Sequence, residues 1–177
     1  MLFAYMKENT PLMKRAAALI ARRTYSRGEL RRKLTFAQKM EDAGEIEAVL
    51  NRFEHLNLIN DAKYAYDFVS CRLNGSGWGE KKIRMALLAK DIAGSIADQA
   101  ICRVREDLAQ GGENDGLVEY IEDYYRKHGT PSTLKDARKL ARHLAGRGFG
   151  EERILDVLQR VVSPEIFRHL RTGDYFD

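Results

Sequence analysis

The side chains of this sequence that could do chemistry are its histidines, its cysteines, its carboxylates and its cations. His55, His128, His143 and His169 form no H-x-x-x-H or H-E-x-x-H pair, so no helix offers two imidazoles at metal-ligating spacing. Each reads as a solvated surface histidine. Cys71 and Cys102 stand alone, which points to neither a zinc site nor a disulfide framework. Glu122 and Asp123 are adjacent and splay from a helix in different directions, a poor pair for general acid–base work. The run NGSGWGE (74–80) has the glycines of a phosphate cradle, but it falls between two helical segments rather than after a strand. It reads as a helix–helix turn. No catalytic residue, metal or cofactor is expected, and so no enzyme.

The cations are more informative. Arg22, Arg23, Arg27, Arg31, Arg32 and Lys33 form one cluster, Arg72, Lys81, Lys82, Arg84 and Lys90 a second, and Arg138, Lys139, Arg142 and Arg147 a third. Up to Met40 the chain carries ten Lys or Arg against two acidic residues, whereas Arg103–Tyr125 holds two Arg against seven carboxylates. The net charge is only +4, so placement matters more than total. A basic lobe draws polyanions or acidic protein surfaces over roughly 8–10 Å at physiological salt. Recurrence of the clusters predicts a basic stripe along one edge, able to follow a phosphate backbone or an acidic groove. The competing reading is that these cations only solvate helix faces.

The elements that must position them are repeated. Aligning Tyr25, Trp78 and Phe149 puts a small residue next in each case: Ser26, Gly79 or Gly150. Leu30, Ile83 and Ile154 follow at the same offset, and then Leu34, Leu87 and Leu158; Ala16, Val69 and Leu140, with Ile20, Leu73 and Leu144, precede at matching offsets. Steps of four keep these apolar positions on one helix face. Each unit therefore reads as helix, tight turn, helix. The small residue is the N-cap, Ser26 and Glu29 supply a capping box, and the aromatic before it staples onto the aliphatic of the next turn. A third helix follows in each unit: one through Ile46, Val49, Leu50, Phe53 and Leu56, one opened by Ser95, one opened by Ser163-Pro164. Thr10-Pro11 opens the first helix in the same way. QGGENDG (110–116) reads as a flexible turn, followed by an inserted helix LVEYIEDYYRK.

The expected fold is all-α: an elongated, curved array of three tandem three-helix repeats, at 10–59, 60–109 and 135–173, with a turn and inserted helix at 110–134. The chain has too short an apolar start for a signal peptide and no stretch near the roughly 20 apolar residues of a membrane span. A monomer in the reducing cytoplasm is expected, with no membrane contact.

The same residues resemble the RecX family, bacterial regulators of the RecA recombinase. RTYSRGELRRKL is similar to the family's opening at Arg23, Ser26, Glu29, Leu30, Lys33 and Leu34, and LNLINDAKYAYDFVSCR to its central box at Asn60, Asp61, Tyr64, Ala65 and Arg72. GWGEKKIRMALLAKDI resembles the next segment at Gly77, Gly79, Ile83, Leu87, Lys90 and Ile92, and RGFGEERILDVL the closing element at Gly148, Phe149, Ile154 and Leu158. Asp91 departs from the pattern, standing where the family has a helix-ending glycine; Asp can take a left-handed conformation at modest cost. The resemblance implies a curved rod lying in the helical groove of the RecA–DNA filament, restraining ATP hydrolysis, strand exchange and filament growth in DNA repair, recombination and the SOS response. It implies no cofactor and no catalytic residue. The motifs do not mark filament-contacting positions, so the partner-binding expectation rests on the three basic clusters, with single- or double-stranded DNA as a further, salt-dependent partner. Reversing charge at Arg31 and Arg32 together is expected to weaken filament binding with little loss of helicity.

Two other readings remain open. Helix-turn-helix units could bind duplex DNA without RecA, although the second-helix starts SRGEL, GEKKI and GEERI are acidic where base-reading side chains would stand. A helical scaffold for another acidic protein is the third.

Overall fold

Caps and apolar spacing set the helix starts. In the computed structural model, which describes residues 10–36, 43–74, 77–111 and 116–170, Thr10 Oγ1 accepts the Met13 N–H at 3.2 Å and Pro11 occupies the first helical position. The described residues form helices and no strand: α1 (Pro11–Ile20), α2 (Arg27–Phe36), α3 (Ala43–His55), α4 (Asp61–Leu73), α5 (Glu80–Leu88), α6 (Gly94–Gly111), α7 (Leu117–His128), α8 (Leu134–Gly146), α9 (Glu151–Val161) and α10 (Pro164–Leu170). The chain is thus all-α, with three helices per repeat and α7 inserted before the last three.

The described residues fall into two compact units, one reaching Ala65 and including Leu87–Ala97, the other containing Tyr66–Ala86 and the chain from Asp98 on. In the first unit α1, α2 and α3 pack mutually around Leu12, Ala16, Tyr25, Leu30, Leu34, Ile46, Val49, Leu50, Phe53 and Ile59. Leu30, Leu34 and Leu50 are wholly buried, each stabilising the unit by about 1.5–3 kcal/mol. In the second unit α8, α9 and α10 pack mutually, and Leu117 and Ile121 of α7 join a core with Ala137, Leu140, Ala141, Leu144, Phe149, Ile154, Val157, Leu158, Val162 and Leu170. The repeat-defining apolar positions are buried, except that Ile20 and Trp78 are half-buried.

Several sequence expectations shift. Leu56 lies past the end of α3 and is exposed, because Asn57 turns the chain with φ 55°. The third helix of the second repeat opens at Gly94, one residue before Ser95. Gln110 and Gly111 belong to α6 rather than to a turn, while 112–115 and the chain beyond Leu170 lie outside the described residues. Asp91 does take the left-handed conformation, φ 59°, so the turn survives without glycine.

Candidate partner-binding surface

The first basic cluster is built on the α1–α2 turn. Ser26 Oγ accepts the Glu29 N–H at 3.1 Å and Glu29 Oε2 accepts the Ser26 N–H at 3.4 Å, closing the capping box. The buried Ser26 hydroxyl has a second use: it donates to the Lys90 carbonyl at 2.7 Å, and Lys90 Nζ reaches Glu29 Oε1 at 2.8 Å. Burial alone would raise the Glu29 pKa, but hydrogen bonds from Lys90, the Ser26 N–H and Arg23 together hold it below the ordinary carboxylate value.

Most cations of this cluster are already paired. Arg27 binds Glu47 at 2.7 Å, Glu54 at 2.8 Å and Asn51 at 2.7 Å. Arg31 takes Glu47 with two nitrogens, at 2.5 and 3.0 Å, and Arg32 pairs with Asp91 and donates to the Ala89 carbonyl at 3.2 Å. Arg23 lies over the Tyr25 ring, 3.7 Å from its centroid, and bonds Glu29. Arg22 and Lys33 are exposed and pair with no described carboxylate. Exposed pairs contribute little stability, about 0–1 kcal/mol each, but every one cancels a charge the surface would otherwise present. Four of the six cations in this cluster are therefore neutralised by carboxylates of the protein itself.

In the second cluster, Arg72 sits 4.7 Å from the Trp78 ring centroid and 5.4 Å from that of Phe68, while Lys82 Nζ lies 4.5 Å from Trp78. These are cation–π contacts. Arg84 pairs with Asp98 at 2.7 Å, and Lys81 is exposed. Trp78 remains half-buried, unlike Tyr25 and Phe149, and meets Phe68 edge-on.

The small residues after the aromatics do more than cap. Gly79 N–H donates to the Arg147 carbonyl at 2.8 Å and Lys81 N–H to the Gly148 carbonyl at 3.1 Å, so the turn before α9 satisfies the open end of α5. A Cβ at Gly79 would run into the backbone of Gly148 and Phe149, and one at Gly148 (φ 90°) into the backbone of Lys82. Gly150 is an ordinary extended N-cap, its carbonyl accepting from Ile154 N at 3.0 Å.

Arg147 of the third cluster lies 4.9 Å over the Tyr120 ring. Arg138, Lys139 and Arg142 stay on the outer side of α8 and pair with no described carboxylate. Lys135 shares that side and completes their row; counting i, i+3, i+4, i+7 from 135 in the sequence finds it.

His143 corrects the reading of the histidines. It is half-buried, its Nε2 lies 2.5 Å from the Tyr120 hydroxyl, and its ring lies 4.9 Å from that of Tyr124. Burial first, then Arg147 and His128, push its pKa below the ordinary histidine value. Cys71 and Cys102 are exposed. Among the described residues no group of His, Cys, Asp and Glu could hold a metal, and no helix is long and apolar enough to cross a membrane.

Comparison with known proteins agrees with this architecture. The family described as "RecX, second three-helix domain" matches residues 60–101. The Regulatory protein RecX of Pseudomonas putida is 32% identical over 160 residues, covering 88% of this chain and 92% of that protein. That of Thermus thermophilus is 33% identical over 136 residues, covering 76% and 80%. The crystal structure of RecX from Lactobacillus salivarius superposes with a TM-score of 0.67 at 25% identity, over 84% of this chain and 92% of that one. With near-complete coverage of a relative at this identity and the same helical framework, the chain belongs to the RecX family of regulatory proteins.

Proposed function

We propose that this protein is a non-enzymatic modulator of RecA that lies in the helical groove of the RecA–DNA filament and lowers RecA ATPase, recombinase activity and filament growth. The observation that carries the reading is the likeness to a Regulatory protein RecX along nearly the whole chain. The repeats at 10–59, 60–109 and 135–173, joined through 110–134, are its working modules. Modules in series suit a polymeric partner, because several modest contacts to successive subunits add up through effective concentration. It acts as a monomer in the cytoplasm, in DNA repair and the SOS response. The test is a titration of purified protein into RecA on DNA: ATP hydrolysis is expected to fall at or below equimolar amounts. Unchanged hydrolysis across a range of salt overturns the reading. A duplex footprint in the absence of RecA, together with unchanged hydrolysis, would favour direct DNA binding instead.

A further inference from the structure

Two basic regions of the molecule differ in what their charges do. On α2, Arg27, Arg31 and Arg32 are each held by carboxylates of the protein itself. On α8, Lys135, Arg138, Lys139 and Arg142 face no such partner among the described residues. At about 100° per residue these four project within roughly a 100° arc, and they extend about 10 Å along the helix axis. The opposite side of α8 carries Ala137, Leu140, Ala141 and Leu144, all buried in the core, so the row is fixed outward by packing. The single carboxylate of α8, Asp136, is engaged at the N-cap, where its N–H and Oδ2 both bond Thr133 Oγ1, at 3.2 and 2.6 Å.

The composition of the row selects the anion. Protein–protein hot spots centre on aromatic and apolar anchors and are poor in lysine, whereas this row holds two lysines, two arginines and no aromatic. A single-stranded nucleic acid is gripped by stacking bases on aromatic rings, again missing from the row. Point cations in line match a duplex, whose phosphates face outward and whose neutralisation releases counterions.

We infer that the outer face of α8 is a sequence-independent contact for the phosphodiester backbone of duplex DNA, made by Lys135, Arg138, Lys139 and Arg142. This deepens the filament reading by naming its nucleic-acid contact, and it is tested without RecA so that the two fail separately. Anisotropy of a labelled duplex, measured with the full chain across a salt series, supplies the readout. Replacing all four residues with Gln is expected to weaken binding about tenfold or more at low salt and to reduce the log–log salt slope by about 3. Arg22→Gln with Lys33→Gln removes two cations elsewhere that pair with no described carboxylate, and is expected to leave most of the slope. Should the quadruple variant fold poorly by circular dichroism, Lys139→Gln with Arg142→Gln, both exposed, is expected to lower the slope by about 2. An unchanged slope in the folded α8 variants overturns the inference. So does tighter, equally α8-dependent binding of a single strand of the same length, or stronger competition by polyglutamate than by duplex. Loss of duplex binding alongside intact RecA inhibition would separate this contact from the proposed function.

Discussion

The starts of α2 and α5 occupy equivalent positions in the repeat, yet they are anchored by different chemistry. At α2 the work is done by side chains: the Ser26 hydroxyl on the Lys90 carbonyl, Lys90 on Glu29, Arg32 on Asp91. At α5 it is done by backbone: Gly79 and Lys81 N–H groups on the carbonyls of Arg147 and Gly148. A polar side-chain junction tolerates substitution but depends on protonation. A backbone junction has almost no chemical sensitivity, and its tolerance is set by the volume of one hydrogen. Of these two slots, Ser fills the one whose neighbour is held through side chains and Gly the one that the neighbour's main chain contacts; Gly150, in the third, meets nothing within 4 Å.

The sharpest way to break this contrast is Gly79→Ala. The new Cβ meets main chain rather than a movable side chain, so a loss of about 3 kcal/mol is expected from overpacking, read as a fall in urea midpoint. Ser26→Gly, which gives the α2 slot the residue found at the α5 slot, deletes one cap and one inter-helix bond and is expected to cost less, about 1 kcal/mol. Equal losses would dissolve the distinction between the junctions.

A smaller effect is expected from reversing Arg31 and Arg32 together to Glu. The variant sets new carboxylates against Glu47 and Asp91, so about 1–2 kcal/mol of stability is lost before any partner is considered. Thermal melts at low and high salt check it, because screening should shrink the penalty.

Smallest is the response to acid, and it runs in opposite order in the two units. The lowered pKa of His143 means that the folded state favours its neutral form. Its contribution is complete above the ordinary value of 6.5 and is lost as pH falls through the depressed one. Glu29, also lowered, keeps its contribution until pH drops below the ordinary 4.5. Asp61 works against this in the first unit, since burial raises its pKa and its protonation favours the fold. Amide protection factors, which divide out the intrinsic pH dependence of exchange, should therefore fall in α7 and α8 first between pH 7.5 and 5 and stay constant in α2. Simultaneous loosening of both would remove the assigned roles.

How much of this was legible beforehand follows from the range of each interaction. Helix starts at Thr10-Pro11, Ser26 and Ser163-Pro164 were readable because caps act within three residues, and the buried face of each helix because apolar spacing repeats every four. The left-handed Asp91 was readable as an exception to a glycine position. The fate of the cations was not. Arg27 meets Glu47 and Glu54, and Arg32 meets Asp91, across sequence gaps that no local pattern encodes. For the same reason His143 passed for a surface residue: Tyr120, which covers it, lies on the inserted helix. The basic clusters were visible, but which of their charges remain available depends on tertiary pairing.

The turn that completes α5 has a consequence for how such a chain can vary in length. Because Arg147 and Gly148 supply the acceptors for Gly79 and Lys81, a protein shortened ahead of residue 147 would strip its middle module of part of its own helix start. Gaining or shedding a module therefore requires a replacement terminus that brings two suitably placed carbonyls, and the sequence of an end module is constrained by the neighbour it must finish.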